Sequence, residues 1–224
     1  FNYSPNFDLK KRKPNQIKFI IFHYTGMKKE KDAIKRLTNL NSNVSSHFLI
    51  KNDGEILTLV PELYTAWHAG NSSWQNFKSI NKYSIGIEIS NSGHDHKYKK
   101  FTTKQIKAVL KLSLFLKKKY KIKKEFILGH SDIAPERKKD PGEKFPWEYL
   151  SKNKIGYWHK LDKKELKKQR NVVLNKNEKK MYIKNINKIG YLRKINKINK
   201  INLKFITMAF QRRFRQALIN GMID

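Results

Sequence analysis

The chain has 224 residues, 38% of them hydrophobic and 12% aromatic, enough for one sizeable core with a smaller second unit, which excludes a disordered polymer. Cysteine is absent, so disulfides and thiolate ligands are excluded, and any transition-metal site must be built from His, Asp or Glu. The formal net charge of +32 would ordinarily point to nucleic acid, a membrane surface or an anionic polymer, but both halves are basic: residues 161–224 hold 18 Lys+Arg against 4 Asp+Glu, leaving +18 on residues 1–160.

Lysine supplies 42 of the 50 basic residues and arrives with many Ile and Asn, as in Lys184-Asn185-Ile186-Asn187-Lys188-Ile189. That reads as a bias of the whole chain rather than a selected surface, so no nucleic-acid partner is expected. No apolar run reaches the roughly 18 to 20 residues that span a bilayer. The segment opens at Phe1 with no signal-peptide core, and a removed leader is an expectation.

Residues 17–24 are β-branched and aromatic and predict a buried strand ending at His23. Residues 30–40 place Ala33, Ile34, Leu37 and Leu40 at helical spacing. Residues 45–50, the turn Asn52-Asp53-Gly54-Glu55 and residues 56–60 predict a hairpin. Residues 84–90 alternate strictly, with Ile85, Ile87 and Ile89 on one face and Gly86 and Glu88 on the other. Thr102 or Thr103 can cap a helix running to about Tyr120, and residues 126–128 predict a strand followed by His130.

Strands alternating with helices predict an α/β protein: a mixed central β-sheet flanked by helices over residues 1–160, followed by a small all-α domain over residues 163–224. Within that second part, residues 183–201 read either as a biased linker or as a helix-turn-helix with Ile183, Ile186, Leu192 and Ile195 inward. Phe205, Ile206, Met208, Ala209, Phe210, Phe214 and Leu218 fit one helical face.

Of seven histidines, His23 and His130 each follow an apolar strand, where α/β proteins present functional groups. Asp140 closes a polar loop ten residues after His130, before Pro141 and Gly142, and two imidazoles with one carboxylate make a three-ligand catalytic zinc site. His47 is expected to be structural. His68, beside Trp67 and near Asn71, suits the wall of a substrate groove. His94 and His96 read as part of a solvated loop, and His159 as a packed residue.

Four blocks, His23-Tyr24-Thr25, Trp67-His68-Ala69-Gly70, Ser84-Ile85-Gly86-Ile87-Glu88 and Gly129 through Gly142, stand in order over residues 15–150. Together they resemble the N-acetylmuramoyl-L-alanine amidases of the AmpD and AmiD type, and the C-terminal helix resembles the peptidoglycan-binding-type domain of the AmiD branch. The resemblance implies Zn2+ on His23, His130 and Asp140, a catalytic carboxylate at Glu88 and a transition-state cation at Lys138. It also implies substrate contacts from Trp67, His68, Ala69 and Asn71, with peptidoglycan or a muropeptide as partner. In this reading Arg212, Arg213 and Arg215 meet anionic groups. The resemblance also implies a monomer in the periplasm, or on the outer membrane facing it through a lipid anchor in a removed leader, with a cytoplasmic recycling enzyme as the alternative. Two other classes remain: a catalytically inactive wall-recognition protein of the same fold, and a basic nucleic-acid-binding protein whose affinity would fall steeply with salt.

Overall fold

A computed structural model describes residues 3–170, 172–191 and 200–223. In chain order the strands and helices are β1 (Phe7–Asp8), β2 (Phe19–Tyr24), α1 (Glu30–Thr38), β3 (Phe48–Ile50), β4 (Ile56–Thr58), β5 (Thr65–Ala66), β6 (Ser73–Trp74), β7 (Phe77–Lys78) and β8 (Ser84–Ile89). There follow α2 (Thr103–Lys119), β9 (Ile127–Gly129), α3 (His130–Ile133), α4 (Trp147–Lys152), α5 (Lys163–Gln169), α6 (Lys176–Ile189) and α7 (Lys200–Phe214). Five strands form the central sheet in the order β4-β3-β8-β2-β9, with β4 antiparallel at one edge and the other neighbours parallel. The sheet is therefore mixed, as the alternation of elements predicts.

Parallel strands are buried on both faces and so need apolar residues on both. On one face Ile20 and Phe22 of β2, Ile85, Ile87 and Ile89 of β8, and Ile127 of β9 pack with Val109, Leu112 and Leu116 of α2 and with Trp147 and Leu150 of α4. Helix α2 starts where Thr102 Oγ1 accepts the Gln105 N–H and Gln105 Oε1 accepts the Thr102 N–H, a reciprocal cap. Its Lys117, Lys118 and Lys119 sit at the negative end of the helix dipole.

The opposite face carries Phe19 and Ile21 of β2 and Leu128 of β9. These pack with Ile133, Ile186 of α6, and Ile206 and Ala209 of α7 in one cluster. The C-terminal segment is helical, as expected, and its last two helices cover the sheet directly. Ile186 is buried and Ile183 packs beside it, whereas Leu192 and Ile195 lie outside the described residues. The inward face of α7 is set by Ile206, Ala209 and Arg213 rather than by the full apolar set: Phe205 stays 37% exposed, and Leu218 lies beyond the helix end, 42% exposed.

Two other boundaries shift for local reasons. Helix α1 stops at Thr38 because Asn39 adopts an extended conformation and its side chain accepts the Asn41 N–H, leaving Leu40 66% exposed. In the hairpin, pairing ends at Thr58, and Leu59 and Val60 continue as buried chain held by the His47 carbonyl. Among the described residues no helix is long and apolar enough to cross a membrane.

Candidate metal centre and its surroundings

The site lies at the carboxyl ends of β2 and β9, on the face that α6 and α7 cover lower down. Alternation along β2 puts Phe19, Ile21 and His23 on this face, so the residues that anchor the core also aim the histidine. His130 is the first residue of α3, directly after β9, which pairs with β2 through Phe22 and Gly129. The loop after α3 returns Asp140 to the same point, where the Ser131 N–H donates to the Asp140 carbonyl at 2.8 Å.

His23 Nδ1 lies 2.9 Å from His130 Nδ1, and Asp140 Oδ2 lies 3.0 Å from each of these nitrogens. All three residues are buried. His130 Nε2 is 3.1 Å from the Ala69 carbonyl, which can only accept, so Nε2 is the donor in that contact and Nδ1 is the nitrogen turned toward Asp140. Burial and the nearby His130 push His23 down to about 4, so its ring is neutral. Burial alone would raise the Asp140 carboxyl, but His130 beside it holds it well below the usual carboxylate range. Lone pairs crowded around one point at this spacing are a donor set for a cation, and the residues fit a metal ion.

Glu88 stands beside His23 in the β2–β8 register, with Leu49 on its other side. Paired residues of parallel strands share a face, so Glu88 points to the metal-ligand side, and Ile85, Ile87 and Ile89 point away. Desolvation, followed by the charge of Asp140, pushes its carboxyl up to about 8, and its Oε2 has no hydrogen-bond partner among the described residues. A cation bound next to it would act in the opposite direction. Lys138 is half-buried in the His130–Asp140 loop, near enough for its charge to lower both His23 and Glu88.

The expected substrate contacts divide. Trp67 is half-buried and donates from Nε1 to Asp8 at 2.8 Å, and Asn71 is exposed; both stand at the rim. His68 and Ala69 do not form a groove wall. His68 is buried, with Nδ1 2.9 Å from His23 Nε2 and Nε2 2.9 Å from Ser84 Oγ, and Ala69 belongs to the core. Asn81 Oδ1 accepts the N–H groups of both, at 3.2 and 2.7 Å, which holds this segment behind the ligands.

Arg137 was not singled out from sequence, yet its guanidinium donates to the carbonyls of Ala69 and Asn71, tying the two loops that flank His130. His47 is structural, as expected: its Nδ1 accepts the Gly86 N–H at 3.0 Å, and its Nε2 lies 2.9 Å from Arg12 Nη2 and 3.0 Å from the Tyr64 carbonyl. His94 departs from the solvated-loop reading. It links Tyr24 Oη at 2.8 Å to Glu143 Oε2 at 3.0 Å and stacks on Tyr98.

The C-terminal arginines also differ from expectation. Arg213 is buried in an ion pair with Asp132 at 2.7 Å, donates to the Ile127 carbonyl at 3.1 Å and lies over Trp147. Arg215 bonds locally to Asn220 and the Leu218 carbonyl, and Arg212 is buried. For Arg213 the reason is packing: it follows Ile206 and Ala209 on the face of α7 that covers the sheet.

A mixed sheet that delivers two imidazoles and a carboxylate to one buried point, with a glutamate beside them, frames a hydrolase site whose ligand set fits a metal ion. The chain belongs to the N-acetylmuramoyl-L-alanine amidase family, whose sequence model matches residues 13–143. It is 33% identical over 222 residues to the N-acetylmuramoyl-L-alanine amidase AmiD of Escherichia coli, covering 93% of this chain and 79% of that protein. It is 34% identical to the 1,6-anhydro-N-acetylmuramyl-L-alanine amidase AmpD of Haemophilus influenzae, covering 66% of this chain and 88% of that one. Among solved structures, the complex of E. coli AmiD with the substrate anhydro-N-acetylmuramic acid-L-Ala-D-gamma-Glu-L-Lys matches with a TM-score of 0.81 at 32% identity, covering 93% of this chain and 84% of that one.

Proposed function

We propose that the chain is a zinc-dependent amidase that hydrolyses the amide between the lactyl group of N-acetylmuramic acid, ordinary or 1,6-anhydro, and the L-alanine of the stem peptide, in cell-wall turnover and recycling. The observation that carries this reading is the meeting of His23 Nδ1, His130 Nδ1 and Asp140 Oδ2 within 3.0 Å of one another beside Glu88, in a chain of this family. Tetrahedral zinc bonds of about 2.0 to 2.1 Å spread their ligand atoms by about 3.3 Å, close to the spacing found.

When bound, the ion supplies Lewis-acid polarisation of the scissile carbonyl and makes a water more acidic. Glu88, beside His23 on the same face, takes the proton of the attacking water and returns it to the departing alanine nitrogen. The Lys138 ammonium offsets the negative charge that grows on the carbonyl oxygen. Trp67 and Asn71 at the rim bear on the muropeptide, while Arg137 keeps the Ala69–Asn71 backbone in place.

A periplasmic or outer-membrane location is part of this proposal, and the basic C-terminal segment, residues 163–224, then extends contact with the wall polymer. Fractionation of the full-length protein tests the location.

The activity is tested by incubating the protein with ordinary and anhydro muropeptides, with and without chelator, and identifying products by mass spectrometry. Free stem peptide beginning with L-alanine, lost with chelator and restored by zinc, is the expected result. Absence of cleavage of both substrates overturns the proposal, as does activity that survives both Glu88→Ala and His130→Ala.

A further inference from the structure

The two histidines of the centre are oriented by different means. His130 is set by a backbone carbonyl next to it. His23 instead begins a chain of three hydrogen bonds that ends at the Ile80 carbonyl, in the turn before β8.

The direction of that chain follows from its far end. The Ile80 carbonyl can only accept, so the Ser84 hydroxyl, 2.8 Å away, donates to it. A hydroxyl has one proton, so toward His68 Nε2 at 2.9 Å Ser84 is the acceptor, and His68 carries its proton on Nε2. Among the described residues the His68 ring nitrogens meet His23 Nε2 and Ser84 Oγ, neither of them a carboxylate that would pair with a second proton. Its Nδ1 is then a bare acceptor, 2.9 Å from His23 Nε2. His23 must place its proton on Nε2 and present an unprotonated Nδ1 to Asp140 and His130.

The space for this arrangement is provided by Gly86. A Cβ there would lie 2.4 Å from His68 Cγ, and the glycine cannot retreat because its N–H is held by His47 and its carbonyl by Ser46. Glycine inside a strand commonly marks such a close approach.

We propose that His68 and Ser84 are positioning residues that set the tautomer of His23, a neutral relay running from the Ile80 carbonyl through Ser84 and His68 to the metal-facing Nδ1. The inference rests on the metal-site reading above. Outer partners of ligating histidines commonly fix ring orientation in this way, and losing them typically costs 10- to 100-fold in metal affinity. What is particular here is that the partner is a second imidazole whose own tautomer is dictated one step further away.

Two measurements test it. Long-range proton–nitrogen NMR of the metal-free protein reads the tautomers directly: His23 and His68 should each be protonated on Nε2 alone. Zinc affinity by competition with a chromogenic chelator should fall roughly 10- to 100-fold in His68→Leu and on the order of tenfold in Ser84→Ala. His68→Asn, whose side-chain oxygen can still accept from His23, should keep most of the affinity.

Ser84→Ala is the discriminating variant: it touches neither His23 nor the metal, and metal-free thermal unfolding shows whether the fold is intact. A proton on His23 Nδ1 in the metal-free protein overturns the relay, as does zinc binding within twofold of the original in both His68→Leu and Ser84→Ala. If the unaltered protein takes up no zinc while the tautomers are as stated, the metal reading fails and the relay stands as a structural fact only.

Discussion

Replacing Arg213 by Met tests whether the C-terminal helices are part of the catalytic fold. Arg213 on α7 pairs with Asp132 on α3 at 2.7 Å, and their side chains are 4% and 1% exposed. Asp132 also accepts from the Gly129 N–H at 2.8 Å and the Tyr191 hydroxyl at 2.5 Å, so the substitution leaves a buried carboxylate with two neutral donors and no counter-charge. Breaking a buried pair from one side costs about 3 to 5 kcal/mol, and losing the guanidinium over Trp147, 4.0 Å from the ring centroid, adds up to about 2 kcal/mol. Methionine keeps part of the apolar stem, so a net loss of about 4 kcal/mol is expected in urea unfolding of the metal-free protein. Adding Asp132→Asn removes the stranded charge and should recover part of that loss. Because Asp132 lies two residues from His130, zinc affinity should fall in the same variant. A loss under about 1 kcal/mol, or a transition in which only helical signal is lost and the rest unfolds as before, would refute the argument that α7 is built into the core.

Glu88→Gln should lower amidase turnover by roughly 100- to 10,000-fold with little change in zinc content, measured by product release and metal analysis. The same variant reports on pH. With Glu88 held up to about 8 in the folded metal-free state, against its ordinary 4.5, the folded form keeps a proton that the unfolded form has released, so stability falls as pH rises from about 4.5 to 8. Glu88→Gln should flatten this contribution, gaining on the order of 3 kcal/mol relative to the original at pH 8.5 compared with pH 4.5, after allowing for solvent at a half-buried side chain. Equal urea midpoints for the two proteins at both pH values would contradict it. Gly86→Ala places a methyl against the His68 ring and should cost about 1 to 3 kcal/mol in unfolding while weakening zinc binding. His130→Ala should abolish stoichiometric zinc uptake, since two of three ligands remain; a full equivalent by metal analysis would show that the ion sits elsewhere.

Much of this molecule is legible in local pattern. The β-branched run into His23, the Ile85-Ile87-Ile89 alternation that turns Glu88 to the opposite face, and the Thr102 cap all report short-range geometry, and each appears where its period places it. Gly86 is an intermediate case: a glycine inside an alternating strand signals close approach, without saying by what.

Sequence by itself determined the α/β character, the mixed sheet and the strand-end placement of His23 and His130, because strand period and strand ends are properties of neighbouring residues, whereas Asp140 was named chiefly by the family resemblance. The tertiary structure decided which groups those ligands meet: His68 is 45 residues from His23, Asp140 is 117 away, and Asp132 is 81 from Arg213. It also decided that α6 and α7 close the second face of the sheet, since Phe19, Ile21 and Leu128 need apolar cover whose source no local pattern names. Long-range hydrogen bonds and shared burial depend on topology, and topology is what brings β2, β8 and β9 side by side.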